Sequence, residues 1–364
     1  MADKVRRFRC PGCSADLVFA PKDGVLECPY CGRKEQIPQS QEQVQERSYE
    51  EYLVVKPDRV SRLSETAQDI SCSGCGMTVT FQPPDMAGEC PFCAAKMVAE
   101  AKASDAGIAP EGALPFRVAA REAGQAVKSW IASRWFAPSA LQRLARQDKL
   151  NGIYLPFWTF DSHTTSHYSG ERGEYYYTTE TYYERDSQGN QVRRTRQVRH
   201  TRWYPASGTV SRWFDDVLVA ATQGLPRPRL AALEPWDLPE VKPYDPAYLS
   251  GFKAQRYQVD LQKGFDLAKE QMAPQIRADI RQDIGGDEQR IHSVSTHYSG
   301  VTFKYLLLPV WISAYRFQDK VYQVMVNART GEVQGDRPYS FWKIAGAVAA
   351  VVLGILILLL LKNN

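Results

Sequence analysis

Residues Ile153–Asp161 read IYLPFWTFD and residues Leu306–Tyr315 read LLLPVWISAY, so a Leu-Pro-X-Trp phrase occurs twice, at Leu155–Trp158 and at Leu308–Trp311. Both runs are rich in aromatic and β-branched side chains, which favour extended backbone. Each is preceded by a helical pattern that itself follows a short strand. Ahead of the first copy, Leu114–Val118 is extended, and Ala123, Val127, Trp130 and Ile131 recur at helical spacing within Ala119–Ser133. A second helix is expected from Pro138 through Ser139–Arg146, with Leu141 and Leu144 on its apolar side and Asn151-Gly152 as its stop. Ahead of the second copy, Tyr257-Gln258-Val259 leads into a helix over Leu261–Asp283 that ends at Gly285-Gly286. The pattern predicts an internal strand-helix-strand duplication. Two unrelated edge strands that both tolerate proline would produce the same phrase. After the second copy, Lys320–Asn327 alternates and Asn327–Val333 turns into a last strand, which extends the sheet as an antiparallel meander.

Between the two copies lies the most unusual composition in the chain. Tyr175–Arg185 reads YYYTTETYYER, Asp186–Asn190 supplies turn residues, and Gln191–Trp203 reads QVRRTRQVRHTRW. Tyr and Thr favour strands, so residues 175–203 are predicted to form a long β-hairpin. A turn centred on Gln188 sets Glu180 opposite Arg196, Glu174 opposite Arg202, and Tyr182 and Tyr183 opposite Arg194 and Arg193. Such a hairpin can satisfy itself through opposite-charge and cation-aromatic pairs. It can also offer Arg193, Arg194, Arg196, Arg199 and Arg202 to a partner, and Tyr with Arg favours a protein over a polyanion because the first arm is acidic.

All eight cysteines fall in Cys-x-x-Cys pairs: Cys10/Cys13 with Cys28/Cys31, and Cys72/Cys75 with Cys90/Cys93. The two sets share the same spacing. Two such turns facing each other complete a tetrahedral thiolate site, so two structural zinc ions are expected, one per set, in two zinc ribbons. A rubredoxin-like iron site uses similar Cys-Pro-x-Cys-Gly turns and stays open as the competing metal. Arg6, Arg7, Arg9, Arg33 and Lys34 cluster around the first ribbon, which would suit nucleic acid, but Asp3, Asp16, Asp23, Glu27 and Glu35 are interleaved with them.

The last eighteen residues before Lys362, Ile344–Leu361, read IAGAVAAVVLGILILLLL without a charge. At about 1.5 Å per residue they reach roughly one hydrocarbon core, and Phe341, Trp342 and Lys343 stand at the headgroup position, so a membrane span is expected. A buried core helix and a cleaved sorting tail are the competing readings. The N-terminus lacks the apolar stretch of a secretory signal, which leaves the body on the cytoplasmic side. The 364 residues, 44% apolar and 24% charged with a formal charge of +4, otherwise describe a folded protein with a tail.

Nothing marks an enzyme. No phosphate loop, nucleophile elbow or His-Glu-x-x-His helix is present, and Asp161, Asp215, Asp216, Asp283 and Asp287 show no acid-base arrangement. His163 and His167 lie four apart and His292 and His297 five apart, which would place a pair of rings on one strand face for a further metal.

With both cysteine sets, IYLPFWTFD, and the tail LLLPVWISAYRF followed by VNARTGEVQGDRPYS in view, the chain resembles a bacterial family of tail-anchored TFIIB-type zinc-ribbon proteins. Some relatives carry the name of primosomal replication helicases, a label the absent helicase motifs reject here. The resemblance implies a single-pass protein of the bacterial inner membrane, with a role in membrane-stress systems that bring a phage-shock-type protein to the bilayer. The expected architecture is α+β: zinc ribbon 1 over 1–36, a polar linker 37–69, zinc ribbon 2 over 70–98, a linker 99–112, an α+β domain 113–340 and an anchor 341–364. The expected function is a non-catalytic scaffold for cytosolic protein partners, with a membrane-tethered nucleic-acid binder as the alternative.

Overall fold

The computed structural model describes residues 8–38, 44–54, 68–72, 75, 77–81, 87–93, 95–98, 108–133, 150–185, 189–317, 320–336 and 341–362. The helix expected over Ser139–Arg146 lies outside the described residues. In chain order, β1 (Val18–Ala20), β2 (Val25–Glu27) and β3 (Lys34–Glu35) form a small sheet beside the first cysteine set. They are followed by β4 (Arg47–Ser48) and α1 (Tyr49–Val54). The strands β5 (Gln68–Ser71), β6 (Thr78–Phe81), β7 (Ala87–Glu89) and β8 (Lys96–Val98) accompany the second set.

The body comprises β9 (Gly112–Ala113), α2 (Ala120–Ala132), β10 (Asn151–Arg185), β11 (Gln191–Ala220), α3 (Arg227–Ala231), β12 (Lys242–Pro243), β13 (Lys253–Ala254), α4 (Leu261–Ile284), β14 (Glu288–Phe317), β15 (Lys320–Asn327) and β16 (Val333–Gly335). The chain is therefore mixed α/β. It ends in α5 (Phe341–Lys362).

Three long antiparallel strands dominate: β11 pairs with β10, and β10 pairs with β14. The β10–β14 register sets Leu155 opposite Leu308, the same position in the two Leu-Pro-X-Trp phrases. Around that pair the two halves mirror each other. The short strand β9, which precedes the first phrase, runs parallel to β14 with Ala113 beside Leu307, and β13, which precedes the second, runs parallel to β10 with Ala254 beside Tyr154. Each half thus lends its leading strand to the other half's long strand. The proline carbonyls repeat too, each within its own half: Pro156 accepts from the amide of Ala221, and Pro309 from that of Ala328, at 2.9 and 3.1 Å.

Alternation along β10 and β14 splits the interior into two layers. Tyr154, Trp158, Phe160, Phe303, Tyr305 and Leu307 face one core, roofed by α2 and by the stripe Leu261, Phe265, Ala268, Met272, Ile276 and Ile280 of α4. Ile153, Leu155, Phe157, Leu306, Leu308 and Val310 face the other. The α4 helix starts at Asp260, whose carboxylate accepts the amide of Lys263 at 2.8 Å, and stops at Gly285 with φ +65°.

The residues between the cysteine sets read as a spacer in the sequence, yet their described part docks. Arg47 pairs with Phe303 of β14, Tyr49 packs on Phe160 and Phe265, and Tyr52 packs edge-on against Phe303. Two tyrosines in an otherwise polar stretch suffice to dock it while it stays half-exposed.

The α5 helix carries exposed apolar side chains along its described length, among them Val348, Val351, Leu353 and Ile355. The side chains of 356–360 lie outside the described residues, and among the described residues no helix is long and apolar enough to cross a membrane. The transmembrane span expected over 344–361 is thus matched by a helix of the expected extent but not by a described membrane-length apolar run.

Candidate metal centres

Each Cys-x-x-Cys pair forms the same tight turn. The amide of the first cysteine donates to the carbonyl five residues on: Cys10 to Ala15, Cys28 to Arg33, Cys72 to Met77 and Cys90 to Ala95, at 2.8 to 2.9 Å. In the first set the residue after the second cysteine is left-handed, Ser14 at φ 59° and Gly32 at φ 70°. Glycine meets that conformation without strain, and the serine shows that it is not obligatory.

Cys10, Cys13, Cys28 and Cys31 converge, as do Cys72, Cys75, Cys90 and Cys93, with all ligand atoms of each group within 4.8 Å of one another. Individual Sγ–Sγ distances are 3.4 Å for Cys10–Cys31 and Cys13–Cys28, 3.5 Å for Cys72–Cys93 and 3.7 Å for Cys75–Cys90. Disulfides would need about 2.05 Å. Four sulfurs about 2.3 Å from a central zinc stand about 3.8 Å apart, so the separations fit a tetrahedral ion and no disulfide. In each pair the first cysteine is buried and the second is more accessible. Amide donors, led by that of Cys31, hold the Cys28 thiol down at about 6, while burial pushes Cys75 up to about 11. Ligation must therefore expel protons from the raised thiols of each site. By donor set and geometry both groups could hold a metal ion, and four-thiolate coordination is compatible with zinc.

The cysteine sets are built into the body. Cys10 and Cys28 share the core that holds Trp158 and α4, whereas Cys72 and Cys90 share the opposite one, with Phe92 and Met77 among Leu114, Ile153 and Leu155. On the first side, Phe19 stacks edge-on against Tyr248, its amide donates to the Ser250 carbonyl, and Ser250 Oγ donates to the Leu17 carbonyl at 2.6 Å. On the second, β6 pairs with β13, and Gln323 Nε2 donates to the Phe92 carbonyl at 2.7 Å. The sequence boundaries at 36 and 70–98 separate segments that in space cap opposite faces of one sheet.

Of the cations expected to mark a nucleic-acid footprint on the first ribbon, Arg33 and Lys34 are paired with carboxylates, while Arg9 is exposed. Lys34 pairs with Asp23 at 2.6 Å, Arg33 with Glu35 at 2.8 Å, and the neighbouring Lys22 with Glu122 of α2 at 2.7 Å. Arg6 and Arg7 lie outside the described residues.

Among the described residues only the two cysteine groups bring three or more metal-capable side chains together. His163 and His167 do share a strand face, but four strand residues span about 13 Å, too far for one ion. His167 instead bonds Thr209 at 2.8 Å, and His292 lies 3.6 Å from Glu171. Of the aspartates, Asp161 and Asp216 do meet. A bulge at Asp161 turns its carboxylate onto the amide of Asp216 and the hydroxyl of Thr302, while Lys304 bridges Asp216 and Glu46 at 2.7 and 3.1 Å. Burial pushes Asp161 up to about 6. Glu46 and Lys304 belong to segments far apart in sequence, and no local signal links them. The cluster ties the docked 44–54 segment to the sheet, with its lysine already neutralised.

The chain is similar to the uncharacterized protein YdjG of Bacillus subtilis (strain 168), 25% identical over 358 residues that span 95% of this chain and 94% of that one. No family model and no solved structure matches it.

Proposed function

We propose that the chain is a non-catalytic adaptor of the bacterial inner membrane: α5 anchors it, its body lies in the cytoplasm, and it recruits protein partners to the bilayer in a membrane-stress response. The observation that carries this reading is α5 itself. Val351, Leu353 and Leu361 are 62%, 60% and 70% exposed, and no charge interrupts 344–361. A helix apolar on every side needs lipid or protein around it, since each fully buried side chain of this kind is worth roughly 1.5–3 kcal/mol. Two closed four-thiolate sites support a scaffold over an enzyme, because neither leaves a coordination position for water. Anchoring concentrates the body in a thin layer, so modest contacts suffice to hold a partner there.

The test is fractionation and mild-detergent co-purification of the intact chain beside a form truncated before Ile344 and a Cys72→Ser/Cys75→Ser form. The intact chain should sediment with membranes and bring a protein partner, and the truncated form should do neither. An intact chain found in the soluble fraction ends the proposal. A second reading, a membrane-tethered nucleic-acid-binding protein, has the arginine-rich hairpin in its favour, and steep salt dependence of DNA or RNA binding would establish it.

A further inference from the structure

Pairing between β10 and β14 ends at Gly173–Glu288, whereas pairing between β10 and β11 continues to Arg185–Gln191. Residues 174–185 and 191–202 therefore form a bare two-stranded arm of twelve ladder pairs, about 40 Å long. Its base is pinned where the Tyr175 amide donates to Asp287 and the Tyr175 hydroxyl to Glu288, at 2.7 and 2.9 Å. The chain enters β10 and leaves β16 at the other end of the sheet, opposite to the arm.

Directly opposed residues share a face, and the ladder sorts the arm into two unlike faces. One satisfies itself. Arg196 pairs with Glu180 at 3.1 Å and Arg194 with Glu184 at 2.9 Å, Arg202 lies over the Tyr176 ring, and His200 stacks on the same ring. The other face carries Arg199, Arg193 and Arg185 with Tyr177 and Tyr183, separated by threonine and glutamine, and every arm carboxylate in the described ladder lies on the opposite face. Arg199 rests over the Tyr175 ring, while Arg185 and Arg193 have no carboxylate partner among the described residues. Beyond Tyr175, which the base half-buries, the tyrosines divide the same way: Tyr177 and Tyr183 are 61% and 67% exposed, against 40% and 38% for Tyr176 and Tyr182.

We propose that this face, which carries none of the arm's own carboxylates and is built on Tyr177, Tyr183, Arg185, Arg193 and Arg199, docks an acidic surface of a protein partner. The inference rests on the adaptor reading and gives it a contact site. Charge complementarity selects carboxylates, and exposed Tyr and Arg are the side chains that most often anchor protein interfaces. A nucleic acid fits less well. Three guanidinium groups neutralise about three phosphates, a footprint that salt at cellular strength largely erases, and Glu174, Glu180 and Glu184 lie behind the face within a Debye length of about 8 Å.

The test uses the full chain in mild detergent, a fluorescein-labelled twenty-residue polyglutamate peptide as the acidic probe, and a single-stranded DNA 20-mer as its competitor class. Arg193→Gln/Arg199→Gln and Arg194→Gln/Arg196→Gln remove the same charge from opposite faces. The first should weaken peptide binding at least tenfold and the second less than threefold. Equal losses, no loss from the first variant, or tighter binding of DNA than of peptide by the unaltered chain overturns the proposal. Since the assay is blind to membrane location, failure of α5 to anchor the chain leaves its result unchanged and is detected by fractionation alone.

Discussion

Trp158 and Trp311 hold the two halves of the protein together by exchanging the same hydrogen bond. Trp158 Nε1 donates to the Val259 carbonyl at 2.9 Å, and Trp311 Nε1 donates to the Val118 carbonyl at 2.8 Å. Each indole belongs to one Leu-Pro-X-Trp phrase, and each acceptor sits at the strand-to-helix junction of the other half. The surrounding rings repeat as well, with Tyr257 5.1 Å from Trp158 and Phe116 5.1 Å from Trp311. Trp158→Phe and Trp311→Phe each remove a buried donor and strand its acceptor. Each should cost about 2–4 kcal/mol, Trp158→Phe the more because Trp158 is fully buried. Urea unfolding of the full chain measures this, and a loss under about 1 kcal/mol in both would deny the cross-tie a structural role.

Metal content is the next quantity the fold fixes. The full chain should carry two zinc ions, and Cys28→Ser or Cys90→Ser should each leave one. Because the buried cysteines line both cores, chelation should lower the melting temperature of the whole body and not merely loosen two small appendages. Elemental analysis beside thermal melting, with and without chelator, reads both effects. Visible absorption from a ferric thiolate site in the purified chain would identify iron instead.

Much of this was legible in the sequence because its signals are local. The spacing of the cysteines names the ligand sets, and the charges of Glu180 and Arg196 announce a hairpin register that the ladder displays. What could not be read is where segments go once formed. Phe19, Met77 and Phe92 look like the small private cores of two ribbons, yet they complete the cores of a shared sheet. Likewise Tyr49 and Tyr52 sit in a polar run whose composition suggests a tether, and only their ring contacts show that it is docked. The carboxylate cluster at Asp161 arises from a bulge that joins four distant segments, and no periodicity encodes such a meeting.

Glu111 sets a pH dependence of stability. Its carboxylate accepts the Tyr305 amide at 2.6 Å and faces Arg47 at 2.7 Å, but burial outweighs both and pushes it up from 4.5 to about 7. Between pH 4.5 and 7 the folded chain retains a proton that the unfolded chain has released, so stability falls as pH rises through that window, by on the order of 3 kcal/mol at most. Asp161, raised by burial from 3.8 to about 6, acts in the same direction at lower pH. Glu111→Gln should flatten the upper part of the curve and match or exceed the unaltered chain at pH 8. Denaturant midpoints across pH 4.5 to 8 decide it, and parallel curves for the two proteins would mean that Glu111 ionises normally.

The arm should be removable without harm to the body. Beyond Gly173 its strands ladder only with each other, with side contacts to the body confined to Tyr175 at the base, and an isolated two-stranded ribbon contributes little to global stability. Replacing residues 175–201 with Asn-Gly joins Glu174 to Arg202, an existing cross-strand pair, through a turn that suits an antiparallel hairpin. The lost contacts at the base, from Tyr175 to Asp287 and Glu288, are half-exposed and should cost no more than about 1–2 kcal/mol. The shortened chain should therefore keep both metal ions and melt within a few degrees of the parent, while losing the polyglutamate binding assigned to the arm. Loss of zinc or of cooperative melting would show that the arm is part of the folding unit, and full retention of peptide binding would place the docking surface elsewhere on the body.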